Sequence, residues 1–246
     1  MISISPSSPK NQPDCHGPAG IEKAPALYYE KAREPFPGSE DSMILLEDIL
    51  KEPDFKRTVN GLALDFRKRH GLPPVRQLGV VVPDAPAAAR DLSARGLGPF
   101  FLARGAPVRW LERGEEKSFS GLVGLTRKSG VDVELLEPGT GSDFYRRHLD
   151  RQGRPLVQHL GFFVPDVDAA AGRLAAWGFS VRVRGRIQAP FLAAEFAYMD
   201  TEDRAGFVVE FIRFSTLSLP VNPPGFLVKA MGRLQKLTGR TVYSLT

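Results

Sequence analysis

The chain has 246 residues, 42% hydrophobic and 25% charged, the composition of a folded protein with a buried core. Its 33 lysines and arginines against 28 acids give a net charge of +5, with a pI near 9.4, and the surplus is local. No acid follows Glu210 whereas Arg213, Lys229, Arg233, Lys236 and Arg240 do, so the rest is near neutral and a nucleic-acid protein built on a broad basic face is excluded.

Residues 1–25 are rich in Ser, Pro, Gly and Asn and are expected to form a tail without fixed structure. The only cysteine, Cys15, lies there, so no intrachain disulfide can form and a reducing, cytoplasmic setting is expected. His16 beside it does not make a metal site in such a tail. The start lacks the basic and apolar parts of a secretory signal, and no apolar run is long enough for a transmembrane segment.

Residues 26–74 read as a helical extension. "SEDSMILLEDILKE" has acids in its first turn and stops at Pro53. "PDFKRTVNGLALDFRKRHG" reads as one helix, with Phe55, Val59, Leu62 and Phe66 on a stripe and Gly71 as its stop.

From Val75 the pattern is strand, helix, then strands. "RQLGVVV" is an apolar strand, Pro83-Asp84 starts a helix that runs to Gly96, and strands follow at "FFLAR", "VRWLER", "FSGLVGLTR" and "VDVELLEP". This first βαβββ module spans 75–140, with an extra segment around Trp110. "GSDFYRRHLDRQG" reads as a linking helix within 141–157. The second module, 158–216, has the strand "QHLGFFV", a helix to Gly178, and strands "SVRVRGR", "AAEFAYMD" and "GFVVEFIRF". Residues 217–246 hold a basic amphipathic helix, expected to dock through Leu227, Ala230, Met231, Leu234 and Leu237, with Lys229, Arg233, Lys236 and Arg240 outward; an anionic membrane surface is the other reading.

"QLGVVVPDAPAAARDLSARG" and "HLGFFVPDVDAAAGRLAAWG" agree at about half their positions, an internal repeat. One such unit leaves a sheet face uncovered; two can close on each other around a cavity. The fold class expected is α+β, two tandem βαβββ modules forming a cupped cleft, with helical ends.

The order and spacing of these elements from Val75 to Phe214, above all "VDVELLEPGTGSDFYRRHLDRQGRPLVQHLGFFVPDVDAAAGRLAAWGF" and "YMDTEDRAGFVVEFIRF", resemble the vicinal oxygen chelate superfamily of glyoxalase I, methylmalonyl-CoA epimerase, extradiol dioxygenases and bleomycin-resistance proteins. The resemblance implies a divalent metal held by one side chain from the first and one from the last strand of each module. In this chain those places are Gln77, Glu134, His159 and Glu210. Gln and His differ between the copies, yet both offer a neutral donor atom. The set is that of the eukaryotic type of glyoxalase I, which implies zinc, with nickel, cobalt or manganese as other occupants. Strand alternation agrees: Glu134 points opposite to Val133 and Leu135, and Glu210 opposite to Val209 and Phe211. Carboxylates in such apolar strands need a metal, an arginine or solvent.

The chemistry this implies is that of a metal-dependent isomerase or lyase: proton transfer beside a metal-bound carbonyl or enolate oxygen, with Glu210 or Glu134 as base. An acyl-CoA epimerase is an alternative, for which Arg182, Arg184 and Arg186 could meet phosphates unless they form a solvated strand face. One epimerase ligand place falls near Phe119, which cannot bind metal. A non-catalytic protein that sequesters a ligand, of the bleomycin-resistance type, is the third reading. Ring cleavage fits poorly because Gln77 stands where a His is wanted. The partners expected are a small-molecule substrate or ligand and a second copy in a homodimer, with no nucleic acid. Phe191, Phe196 and Tyr198 are expected as cavity wall or core, Glu195 and Asp200 as ordinary exposed acids unless the strand of Glu195 faces the cleft, His148 at the surface, and Trp110 and Trp177 as buried or half-buried anchors.

Overall fold

The structure is a computed structural model that describes residues 44–189, 192–217, 219–221, 225–239 and 241–244. All of them fall in the compact unit Phe36–Thr246. The expectations for the tail with Cys15 and His16, for Phe191 and for Arg240 lie outside the described residues, as does the start of the first expected helix.

Helix α1, Leu46–Lys51, carries Glu47 and Asp48 in its first turn and ends ahead of Pro53. The single helix expected next is two: α2, Phe55–Leu62, capped by the Asp54 carboxylate accepting the Arg57 N–H, and α3, Leu64–His70, closed by left-handed Gly71. The break falls at Ala63, with φ −110° and ψ 11°. Its cause is tertiary. The Asn60 carbonyl accepts both the Arg67 guanidinium and the Val75 backbone N–H, each at 3.0 Å, which ties the bend to the entrance of the sheet.

Among the described residues, twelve strands form one sheet. In chain order the elements are β1 Gln77–Val81, α4 Ala85–Ala94, β2 Phe101–Gly105, the short pair β3 Arg109–Glu112 and β4 Glu115–Glu116, β5 Phe119–Lys128 and β6 Val131–Gly141. Then come β7 Leu156–Phe163, α5 Val167–Ala175, β8 Val181–Ala189, β9 Leu192–Met199, α6 Glu202–Ala205, β10 Val208–Thr216, β11 Leu219–Pro220, α7 Gly225–Thr238 and β12 Tyr243–Ser244. Asp84 and Asp166 each accept a backbone N–H three residues on, from Ala87 and Ala169, and so start α4 and α5.

The sheet order is β12-β2-β5-β6-β1-β7-β10-β9-β8-β3-β4, with β11 on β10. Its two halves have the same plan: β1 lies parallel to β6 and β7 parallel to β10, and the remaining neighbours within each four-strand half are antiparallel. At the centre β1 and β7 join the halves antiparallel. The outer face carries the main core, in which Leu78, Leu135, Leu160 and Phe211 meet Val59, Leu92 and Leu174 of the helices. The inner face is a smaller aromatic core of Trp110, Phe144, Tyr145, Phe196 and Tyr198 with Val81, Leu136 and Ile212. A sheet packed on both faces in this way is a curled cup.

Three further expectations need correction. The linking helix over 141–157 is only a 3₁₀ turn, Arg146–His148. Phe144 and Tyr145 turn into the inner core, and the Asp150 carboxylate takes the backbone N–H groups of Gln152 and Arg154, which competes with helical pairing. His148 is not a surface residue: its ring is largely covered and lies 2.6 Å from Glu202. Trp110 is buried, but Trp177 is 57% exposed beside His70.

Helix α7 docks by a different face from the apolar one. Gly232 packs on the Pro99–Phe100 backbone, leaving no room for a Cβ. Buried Gln235 accepts the Leu102 N–H at 2.7 Å and donates to the Leu102 carbonyl at 2.9 Å. Leu227, Leu234 and Leu237 stay exposed, at 41%, 58% and 85%. Satisfying the Leu102 backbone groups on β2, beside the short pairing with β12, sets the contact face.

Candidate metal centre and cavity

Alternation along the four central strands decides which side chains enter the cup. Leu78, Val133, Leu160, Val209 and Phe211 belong to the outer core, so Gln77, Glu134, His159 and Glu210 face inward. Register then sets them in two rows. Glu134, Gly79 and His159 lie side by side across β6, β1 and β7, and Gln77, Gly161 and Glu210 across β1, β7 and β10.

The middle place of each row is a glycine because a neighbour's side chain needs the space. A Cβ on Gly79 would run into the His159 imidazole, and one on Gly161 would come within 2.7 Å of Gln77 Cβ. The Leu-Gly shared by both copies thus makes room in each strand for the other copy's polar side chain.

The structure brings all four sequence-derived residues together. One ligand atom from each of Glu134, His159 and Glu210 falls within 4.8 Å of the others. His159 Nε2 is 3.0 Å from Glu210 Oε2 and 3.6 Å from Glu134 Oε2. Gln77 Nε2 donates to Glu134 Oε2 at 2.7 Å.

The donor set fits a divalent cation. His159 and Glu210 are buried, and although Nε2 and Oε2 lie close, neither makes an aligned hydrogen bond. Orphaned lone pairs that converge inside a protein are costly unless a cation satisfies them. Turning the Gln77 amide over would bring Oε1 to the same place.

Electrostatics mark the same cluster. Burial first, then the Glu210 carboxylate, push the Glu134 carboxyl up to about 7, against the opposing pull of His159 and Gln77. Burial alone would lower His159, but the carboxylates of Glu210 and Glu134 outweigh it and raise its pKa.

A cavity of about 90 Å³ opens over these groups, with Glu134 and Glu210 on its floor. Trp110, Phe119, Tyr145, Phe196 and Tyr198 form much of its wall. It is smaller than the roughly 300–1,000 Å³ of a pocket for a drug-sized ligand, so it suits a small oxygen-bearing group. Phe119 stacks on Trp110 at 4.6 Å between centroids. A larger groove, about 1,250 Å³, lies between α4 and α7 and contains none of the four residues.

Sequence reasoning missed the polar part of this wall. The hydroxyls of Tyr145 and Tyr198 pair at 2.8 Å, buried, and the Tyr198 ring packs 5.2 Å from His159. Burial, with the Glu134 and Glu210 carboxylates adding to it, raises both phenols well above their usual range, so they stay protonated donors. The register partner of Glu210 is Tyr198, a signal readable once β9 and β10 are paired.

Other candidates are engaged elsewhere. Arg182 is buried and pairs with Glu202 at 2.7 Å, and Arg184 bonds Asp168 at 3.0 Å. Arg184, Arg186 and Arg213 all come within 4.0 Å of Glu195, which is therefore neither a free surface acid nor part of the cavity wall. Asp200 meets Arg113 and Arg182.

The model of the Glyoxalase/Bleomycin resistance protein/Dioxygenase superfamily matches residues 76–198, half of the chain, and takes in Gln77, Glu134 and His159. No curated protein matches the sequence. Among solved structures, methylmalonyl-CoA epimerase of Streptomyces coelicolor in complex with 2-nitronate-propionyl-CoA is 17% identical, with 61% of this chain and 99% of that chain covered and a TM-score of 0.40. The epimerase of Mycobacterium tuberculosis is 18% identical over 56% of this chain and 85% of its own, TM-score 0.37. A mutant 4-hydroxymandelate synthase of Streptomyces coelicolor is 13% identical over 69% and 56%, TM-score 0.43. By the family match, the chain belongs to the Glyoxalase/Bleomycin resistance protein/Dioxygenase superfamily, the vicinal oxygen chelate fold.

Proposed function

We propose that this protein is a metal-dependent enzyme that moves a proton at a carbon next to a carbonyl, an isomerase or lyase of the glyoxalase-like type. The observation that carries the reading is the convergence of two carboxylates and an imidazole within 4.8 Å, on the floor of a small aromatic cavity. His159, Glu210, Glu134 and Gln77 would hold the ion, with zinc first and nickel, cobalt or manganese as other occupants. When bound, the ion supplies Lewis-acid polarisation of the substrate's carbonyl oxygen.

The chain's own groups do the rest. Glu134 would take and return the proton as a base at the cavity floor, on leaving the ion during turnover. Glu210 is the second candidate base. Of the paired hydroxyls of Tyr145 and Tyr198, the one that accepts within the pair keeps its proton to donate to an oxygen that gains charge, and Trp110, Phe119 and Phe196 keep water out. The acyl-CoA reading is weaker, since Arg182 and Arg184 are bound to acids of the same chain.

The test is metal content by plasma mass spectrometry on untagged protein purified without chelators, beside Glu210→Ala. About one divalent ion per chain, lost in the variant, is the expected result. Deuterium wash-in from D2O into small hydroxycarbonyls, thiohemiacetals and acyl thioesters then identifies the substrate class. No metal after reconstitution with each ion would overturn the reading and leave a ligand-sequestering protein.

A further inference from the structure

Strand β7 is irregular where it carries His159. Gly79 faces His159 and Val80 faces Val157, so Gln158 has no partner in β1 and is the extra residue of a β-bulge. In a regular strand, adjacent side chains point to opposite faces. Here Val157 packs in the outer core, while Gln158 Oε1 lies 2.7 Å from His159 Nδ1. Both side chains are buried, at 2% and 0% exposure.

The two ends of the imidazole therefore have different surroundings. Nδ1 meets an amide carbonyl that can only accept, so it carries a proton. Nε2 faces the Glu210 and Glu134 carboxylates, at 3.0 and 3.6 Å, without an aligned hydrogen bond, so it is the ring nitrogen placed to offer a lone pair to a cation. The amide nitrogen of Gln158 stays buried and unpartnered, a cost incurred together with the bulge.

The other half of the sheet supplies a comparison. The residue before Gln77 is Arg76, which is exposed. An amide ligand such as Gln77 has no tautomer to set, and no buried acceptor stands behind it. The acceptor is present only in the copy that carries a histidine.

We propose that Gln158 is a positioning residue: its carbonyl holds the His159 proton on Nδ1 and so presents Nε2 to a divalent cation shared with Glu134 and Glu210. The proposal rests on the metal reading above. Gln158 is not itself a ligand. The bulge serves to bring a second side chain from β7 to the same side as the first.

The experiment uses the full chain as wild type, Gln158→Met and Gln158→Glu. Affinities for Zn(II) and Co(II) are measured by competition with a chromophoric chelator, and the Co(II) forms are examined by proton NMR, with thermal melts to show folding. Removing the acceptor should weaken binding by about 10–100-fold, whereas Glu, which keeps it, should stay within about threefold of wild type. Wild type should show a hyperfine-shifted, slowly exchanging imidazole N–H on Nδ1 that Gln158→Met loses. Equal affinity in Gln158→Met with that signal retained overturns the proposal. So does an imidazole proton on Nε2 in the Co(II) form of wild type, a readout that needs no variant to fold. Failure of wild type to bind either ion overturns the metal reading and this role with it, and is distinguishable because it appears without any substitution.

Discussion

Replacing Glu134 by Gln should stabilise the metal-free protein while abolishing its capacity to bind metal. The carboxyl is pushed from 4.5 to about 7 by burial and by Glu210. At about 1.36 kcal/mol per unit, ionising it in the folded protein costs about 3 kcal/mol more than in the unfolded chain. A raised acid binds its proton more tightly when folded. Wild-type stability should therefore fall as pH rises from about 4.5 to about 7, then level off.

Glutamine has the same shape and can still accept the Gln77 amide bond, which is 2.7 Å long in wild type. It should remove the cost, raising stability by about 2–3 kcal/mol at pH 8 and by under about 1 kcal/mol at pH 5. In melting temperature the gain at pH 8 is about 5–10 °C. Urea unfolding with chelator present, at both pH values, is the assay. Zinc added at pH 8 should then stabilise wild type and leave the variant unmoved. If Glu134→Gln gave no gain at pH 8, or the same gain at pH 5, the two carboxylates would not be working against each other and the reasoning would fail.

The glycine rows give a steric prediction. Gly79→Ala should displace the His159 ring and remove metal binding, with a loss of about 1–3 kcal/mol in urea unfolding; unchanged metal affinity would contradict the row geometry. Tyr198→Phe leaves the buried Tyr145 hydroxyl unpaired and should cost about 1–3 kcal/mol, and a double-mutant cycle with Tyr145→Phe should show the two hydroxyls coupled. Additive losses would mean the hydroxyls do not pair. Gln235→Leu should speed hydrogen exchange at Leu102 and across 225–244 without affecting β1, β6, β7 and β10; protection unaltered at Leu102 would show that α7 is held some other way.

Much of the fold is local in origin and was therefore legible in the residues. Asp84 and Asp166 start helices by bonding N–H groups three residues on, and the period of two in "VVEFI" and "DVELL" sends Glu210 and Glu134 to one face of their strands. Neither feature needs a contact with a distant part of the chain.

What the residues by themselves left open depends on partners far away in sequence. The kink at Ala63 comes from Asn60 holding Val75, and the α7 docking face from Gln235 holding Leu102. The turn in place of a linking helix comes from burying Phe144 and Tyr145 in a core completed by Phe196 and Tyr198. At the centre, the bulge at Gln158, the tyrosine pair and the space taken by His159 over Gly79 exist only once β1, β7, β9 and β10 are in register. A period or a cap is a property of a few neighbouring residues, so the sequence states it directly. Register, the meeting of buried hydroxyls and the choice of docking face are settled by which arrangement of the whole sheet leaves the fewest polar groups unpaired.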